Sequence, residues 1–264
     1  MPNSSANAFA FPSKRRLIAV VLAVAVVAGI GAGVRPAHAA EAPVDLGTAG
    51  AFGVLGGEEV TNTGLTVIGG DVGASPGTSI VGFPPGIASG VVDAPAAQAQ
   101  LDLAAAYLDA EGRFPTTSGL TELGGQNLVP GVYSGGALTI TGDLTLTGDA
   151  NSVWIFQASS SLITASASRV MLSGPINPCN VFWQVDSSAT LGTGSSMVGT
   201  VMALTSISAD TGASVAGRLL ARNGTTTLDA NSVTGPLACT TAATAPPATA
   251  PPAAAVPGEA TFTG

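Results

Sequence analysis

The chain has 264 residues and a formal net charge of −8, and only 9% of its residues are charged. Gly, Ala, Ser and Thr are abundant, a composition more typical of repetitive β-structures than of globular enzymes. Few cations and an acidic balance exclude binding to nucleic acid or anionic lipid, because both partners need clustered positive charge.

The first 39 residues have the pattern of a secretion signal. Three basic residues at 14–16 precede an apolar run from Leu17 to Val34, and Ala37-His38-Ala39 then supplies a small-x-small cleavage pattern. We predict a signal peptide at residues 1–39, a secreted protein and no membrane contact after cleavage. A retained membrane anchor is the alternative, since the apolar run is nearly long enough to span a bilayer. Cleavage would remove four of the eight cations and none of the sixteen acids, leaving a net charge of −12 without lysine or histidine.

One segment of the predicted domain, residues 40–239, has helical character. The alanine-rich sequence after Asp93 and Pro95 contains strong helix formers, and Gly112 ends it. We expect Asp93 to cap this helix and Pro95 to occupy its first turn. The apolar stripe that we expect to face a sheet is formed by Ala97, Leu101, Ala104 and Leu108.

Outside that helix, apolar residues alternate with Ser and Thr, which predicts short β-strands. A shift of eighteen residues aligns Thr193 with Thr211 and Gly199 with Gly217, so the C-terminal third is a repeat. Eighteen extended residues trace roughly 60 Å, which suits one triangular coil stacked on its neighbours. The alternation predicts these inward residues: Ala189, Leu191, Ile207, Ala209, Thr226 and Leu228. It predicts these outward residues: Ser188, Thr190, Ser206, Ser208, Thr225 and Thr227.

Cys179 and Cys239 are the only cysteines, and in an exported chain they predict one disulfide. About three coils separate them, roughly 14 Å along a simple stack, whereas bridged Cα atoms lie within about 7 Å. Either the chain end folds back, or the coils stack out of sequence order. Residues 240–264 are rich in Pro, Ala and Thr, which predicts a disordered tail or a linker to the cell wall or a further domain.

Several segments resemble the bacterial ice-binding protein family. They include LGTAGAFGVLGGEEVTNTGLTVIGGDVG, LVPGVYSGGALTITGDLTLTG and CNVFWQVDSSATLGTGSSMVGT, and the likeness extends from about Leu46 to Gly235. The resemblance implies a mostly β fold: an irregular, discontinuous, right-handed β-solenoid of triangular cross-section with one long α-helix packed alongside. It also implies antifreeze or ice recrystallisation inhibition activity through a flat Thr/Ser-rich face, with the ice crystal surface as the partner.

Several strongly active members of that family carry a T-A/G-x-T/N motif on the ice-contacting face. Residues 63–66 match it fully, while residues 193–196 and 211–214 end in Ser. The predicted ice-binding residues, all expected to face water, are therefore Thr63, Thr66, Thr193, Ser196, Thr211 and Ser214. The alternative face is the parallel column of Thr190, Ser208 and Thr227.

Catalysis is not expected from this sequence. Without His or Lys in the mature chain, a Ser–His or Ser–Lys pair is impossible, although a pair of carboxylates remains formally open. We expect no cofactor and no metal, because two thiolates without histidine make a poor site. The alternative to ice binding is a cell-surface adhesive or structural module without ice activity, with the tail as its stalk.

Overall fold

The computed structural model describes residues 41–241. The predicted signal peptide at residues 1–39 lies outside the described residues, as do residues 242–264 of the tail predicted at 240–264. Within the described range, one α-helix accompanies twenty β-strands that all belong to one hydrogen-bonded sheet system. The prediction of a mostly β fold with a single long helix is confirmed.

The elements follow one another in a regular order along the chain. The first six strands are β1 (Phe52–Gly56), β2 (Glu59–Thr63), β3 (Val67–Ile68), β4 (Asp71–Ala74), β5 (Ser79–Val81) and β6 (Ile87–Ala88). After helix α1 (Ala97–Gly112) come β7 (Thr117–Glu122), β8 (Asn127–Leu128), β9 (Gly131–Ile140), β10 (Asp143–Thr147), β11 (Trp154–Ala158), β12 (Leu162–Thr164) and β13 (Arg169–Ser173). The last seven strands are β14 (Val181–Val185), β15 (Ala189–Leu191), β16 (Ser196–Ala203), β17 (Ile207–Ala209), β18 (Ser214–Ala221), β19 (Thr226–Asp229) and β20 (Ser232–Val233). Short 3-10 helices are formed by Gly47–Ala51, Pro178–Asn180 and Gly235–Thr241.

The strands pair in parallel and form three stacks. The first stack runs β4, β1, β18, β16, β14, β11, β9 and β7. The second stack runs β5, β2, β19, β17, β15, β12 and β9. The third stack runs β6, β3, β20, β18, β16, β13, β10 and β8. The long strands β9, β16 and β18 each contribute to two stacks, so the chain visits the stacks in turn as a β-solenoid.

The coils do not stack in sequence order. The last coil, β18 to β20, pairs with the first coil, β1 to β3, so that Leu55 lies beside Leu220. The second coil, β4 to β6, covers the far side of the first. After it the chain passes through α1, and β7 and β8 begin the opposite end of the stack. Because of this discontinuity, N-terminal strands are hydrogen-bonded to C-terminal strands.

The interior of the solenoid is lined by the inward residues of the three stacks. All six predicted inward residues are buried, each at most 2% exposed, which confirms the alternation. Tyr133, Phe156 and Trp183 occupy successive rungs of the first stack, with ring centroids 5.5 Å and then 4.0 Å apart. Stacked aromatic rungs of this kind bury large apolar surfaces in a fixed register.

Helix α1 covers the outer side of the first stack, but not with the predicted stripe. Its buried residues are Ala99, Leu103, Ala106, Tyr107 and Ala110. Leu101 is 66% exposed and Leu108 is 58% exposed, so the predicted facing residues were wrong. The helix has alanines on several of its sides, so the spacing of its apolar residues did not identify one buried face. Its N-terminal cap is Ala96 rather than Asp93, without a side-chain capping bond.

The chain end folds back along the stack and brings the two cysteines together. The 3-10 helix Gly235–Thr241 contacts β18, β1 and the 3-10 helix that contains Cys179. Gly235 makes this turn possible, because its φ is +55° and an added Cβ would meet the Gly69 carbonyl oxygen. Cys179 and Cys239 form the predicted disulfide, with Cα atoms 5.3 Å apart. The fold-back explains how residues about three coils apart can meet.

Candidate functional surface

The second stack presents an in-register row of small side chains to solvent. Strand pairing places these residues on successive rungs: Val81, Thr61, Thr227, Ser208, Thr190, Ile163 and Thr139. Their strand neighbours, such as Leu191, Ala209 and Leu228, are buried and hold each rung in place. We call the outward residues of the second stack the hydroxyl face.

A second row on the hydroxyl face lies two residues before the first. It contains Ser79 beside Glu59, followed by Thr225, Ser206 and Ser188 on the next coils. The Thr225 backbone N–H donates to the Ser206 hydroxyl at 3.2 Å, and the Ser206 N–H donates to the Ser188 hydroxyl at 3.4 Å. These serines therefore connect adjacent coils as well as facing outward.

The hydroxyl face has a regular two-dimensional spacing. Rungs of a parallel sheet lie about 4.8 Å apart, and residues i and i+2 of a strand lie roughly 6.6 Å apart. The Thr61 hydroxyl donates to the Thr227 hydroxyl at 3.3 Å, so neighbouring rungs also contact through their side chains. Most side chains here are Ser or Thr, which are small; Glu59 is the one charged side chain in the two rows.

The alternative column predicted from sequence is a single row of this face. Thr190 pairs with Ser208, and Ser208 pairs with Thr227, which confirms the predicted register. The spacing changes from eighteen to nineteen residues at the last step, as the alternation required. The sequence repeat did not reveal Thr61 or Thr139 on the same row, because Thr61 joins it through the out-of-order coil. Only the Thr-x-Thr alternation in β2 and β9 signalled them.

The other predicted residues do not share one plane. Thr193 and Thr211 lie in the turns that connect the second and third stacks, and Thr63 ends β2 at the same corner. The Asp229 carboxylate accepts hydrogen bonds from the hydroxyls of Thr63 and Thr211. Ser196 and Ser214 pair with each other on the third stack, with their hydroxyl oxygens 3.2 Å apart.

Thr66 is a correction to the predicted set. It was expected to face water, yet its side chain is fully buried and its hydroxyl accepts the Asn231 backbone N–H at 3.1 Å. Strand pairing aligns Val67, not Thr66, with Ser232 and through it with Ser214. Thr66 therefore takes the inward position of Ser195 and Ala213, the buried third residues of the other two motifs. Thr66 therefore stabilises the corner and is not part of an exposed face.

The other two stacks offer less regular surfaces. The helix covers the first stack, as described above. On the third stack Arg169 pairs with Asp143 and Ser196, which places a long charged side chain in the middle of the row. Val67 and Ile87, 51% and 58% exposed, end that row with larger apolar side chains. The hydroxyl face also includes Val81 and Ile163, but it has no arginine, and five of the seven residues in its first row are Ser or Thr.

Between residues 41 and 241, no three His, Cys, Asp or Glu side chains are grouped so that they could hold a metal ion. In the same range no helix is long and apolar enough to cross a membrane. Tyr107, Gln184 and Asp186 form a hydrogen-bonded cluster beside α1, in which burial raises the pKa of Tyr107 and the bond to Asp186 adds to the shift. That cluster anchors the helix.

Stacked parallel coils, one flanking helix and in-register rows of outward side chains define a solenoid protein with a repetitive surface. The sequence model of a family described as "Ice-binding-like" matches residues 54–234, and the chain belongs to this family.

Individual relatives agree in sequence and in structure. An ice-binding protein of Nostoc sp. (strain HG1) is 48% identical over 205 residues, which cover 74% of this chain and 75% of that protein. One of Colwellia sp. is 36% identical and covers 73% of this chain and 84% of its own length. The crystal structure of an ice binding protein from an Antarctic biological consortium matches with a TM-score of 0.71 and 45% identity, covering 74% of this chain and 92% of that chain. The family is one of ice-binding proteins rather than enzymes.

Proposed function

We propose that this protein binds ice through the hydroxyl face and so inhibits the growth or recrystallisation of ice crystals. The observation that carries the proposal is the in-register row from Val81 to Thr139, on the stack that the helix leaves uncovered. Family membership and the named relatives support ice as the ligand.

Small hydroxyl side chains on a rigid, flat scaffold suit this ligand. The γ-methyl of Thr restricts its rotamers, and its hydroxyl can both donate to and accept from an ordered water layer. Sparse charge favours such a layer, because ions bind water in other geometries. Parallel hydrogen bonds from coil to coil keep the rungs in register, so little order has to be gained on contact with a crystal.

We extend the proposal to the shape of the solenoid and to the location of the protein. We propose that the three stacks enclose a right-handed solenoid of triangular cross-section, so that each stack is one wall. Cleavage before Ala40 would release the domain outside the cell, where ice forms, and the Pro/Ala/Thr-rich tail would extend from its end.

The decisive test places a bulky side chain on one wall at a time. Ser208→Tyr changes the centre of the row, whereas Ser214→Tyr is a matched control on the third stack, with a similarly half-buried serine. Each change should alter the free energy of unfolding by no more than about 0.5 kcal/mol. Thermal hysteresis and ice recrystallisation inhibition should fall severalfold in Ser208→Tyr and persist in Ser214→Tyr.

The other outcomes each have a definite meaning. Loss of activity only in Ser214→Tyr would move the ice-contacting surface to the corner and third stack, with Thr193, Ser196 and Thr211. Full activity in both variants would refute both surfaces. Absence of activity in the unmutated, secreted protein would refute ice binding, and the adhesive or structural role would then replace it.

A further inference from the structure

Arg218 is a buried cation beside the disulfide. Its residue is 5% exposed, and its Nη2 atom lies 3.1 Å from Cys239 Sγ while Nη1 lies 3.8 Å from Cys179 Sγ. Nε donates to the Gly50 carbonyl oxygen at 3.0 Å. Among residues 41–241, both salt bridges are formed by Arg113, with Glu41 and with Asp109. No carboxylate in this range forms a salt bridge with Arg218. Its positive charge is therefore held by neutral acceptors, an arrangement that is costly for a buried ion.

Reduction of the disulfide would give Arg218 the counterion that it lacks. A thiolate is stabilised when an arginine lies beside it. Cys239 Sγ, the sulfur nearer to the guanidinium, is the better leaving group for the same reason, because a stabilised thiolate leaves faster in thiol–disulfide exchange. A stabilised reduced form makes a disulfide more easily reduced.

The two cysteines border solvent. Cys179 and Cys239 are both half-buried, and together with Arg218 they line an open hollow of about 420 Å³. Asp45 is the other ionisable side chain that lines the hollow; it is exposed and accepts the Gly47 backbone N–H. A small thiol could therefore approach Cys179 from solvent while Arg218 contacts Cys239 from the buried side.

We infer that the Cys179–Cys239 disulfide is a reducible clasp, which holds the 3-10 helix Gly235–Thr241 against the solenoid and releases it on reduction by a small thiol. The thiolate of the first reductant molecule attacks Cys179 Sγ, forming a mixed disulfide, and Cys239 leaves as a thiolate beside Arg218. A second thiol displaces Cys179 and yields the oxidised reductant. Two electrons pass to the protein; one of the two thiol protons ends on Cys179 and the other enters solvent.

The site of attack can be tested on the unmodified, full-length protein. Brief exposure to glutathione, acid quenching and peptide mass spectrometry would locate the mixed disulfide. We expect the glutathione adduct on Cys179. A predominant adduct on Cys239 would overturn the proposed role of Arg218, because the sulfur beside the cation would then not be the leaving group.

Reduction equilibria test the contribution of the guanidinium. In glutathione buffers, Arg218→Gln should resist reduction at least tenfold more than the unmodified protein, equivalent to about 30 mV for a two-electron couple. Arg218→Lys, which keeps the charge, should recover part of that difference. The matched control is Arg222→Gln, because Arg222 lies over the Tyr107 ring, 4.9 Å from its centroid, and should leave the equilibrium unchanged. Equal constants for Arg218→Gln and the unmodified protein would refute stabilisation by Arg218.

Release of the helix is a separate measurement. Hydrogen exchange of backbone amides in Gly235–Thr241 should accelerate at least tenfold after reduction and approach the rate of an unstructured peptide. The amides of β14 and β16 should still exchange more slowly than those of this helix, although the whole domain is less stable. Unchanged protection of this helix in the fully reduced protein would show that the disulfide is not a clasp.

Discussion

Removal of the disulfide should destabilise the protein strongly, because it closes a long loop. Cys179 and Cys239 are 60 residues apart in sequence. In the chain-entropy treatment, opening a loop of this length stabilises the unfolded state by about 4 kcal/mol at 25 °C. The variant in which both cysteines are replaced by serine should therefore lose about 4 kcal/mol of unfolding free energy. For a domain of this size that corresponds to a decrease in Tm of roughly 8–16 °C.

Guanidinium unfolding measures this loss directly. Trp154 and Trp183 are fully buried, so their fluorescence reports exposure of the core. The midpoint should fall, and the slope m should rise because an unfolded chain without the cross-link exposes more surface. The unmodified protein in excess reductant is the control and should unfold like the double variant. A loss below about 1 kcal/mol with an unchanged m would refute the loop-closure argument.

Two further changes test the interior and the helix contact. Thr66→Val should cost about 1–3 kcal/mol in chemical denaturation, because the buried Asn231 N–H loses its acceptor, and should leave thermal hysteresis intact; lost hysteresis in a folded variant would contradict its assignment to the interior. Hydrogen bonds from the Thr48 hydroxyl, the Thr48 N–H and Gln98 hold the pKa of Asp102 below its ordinary value. The stability from Asp102 is therefore present above the unfolded-state pKa of about 3.9 and is lost as the pH falls through the lower folded-state value. Asp102→Asn should flatten the dependence of stability on pH below about pH 4, and an unchanged profile would show that these bonds do not persist in solution.

The sequence repeat correctly predicted the part of the fold in which coils that follow one another in sequence also stack on one another. The eighteen-residue repeat and the alternation of apolar and hydroxyl residues identified the inward and outward sides of β15, β17 and β19 correctly. Consecutive coils pair there at an offset of eighteen or nineteen residues, so each residue's neighbours can be read from the repeat and the alternation.

Contacts between distant parts of the chain could not be predicted in the same way. Leu55 pairs with Leu220, and no repeat connects the segments that contain them. The predicted orientation of the helix was wrong for a related reason. Tyr107 faces the sheet because its hydroxyl donates to Asp186, a partner 79 residues away in sequence. Thr66 was misplaced because the corner turns inward before β3, which a motif of four letters does not express.

The discontinuous order of coils matters for the proposed function as well as for the fold. A solenoid stacked in sequence order would end its row of outward residues at Thr227. Because the first coil stacks on the last, Thr61 continues the row directly and donates to Thr227, and Val81 adds one more rung beyond it. The same pairing hydrogen-bonds the N-terminal strands to the C-terminal ones and so covers the strand edge that β19 would otherwise expose. The out-of-order coil thus joins rungs from the two ends of the described chain into one continuous row, and the proposed ice contact depends on that continuity.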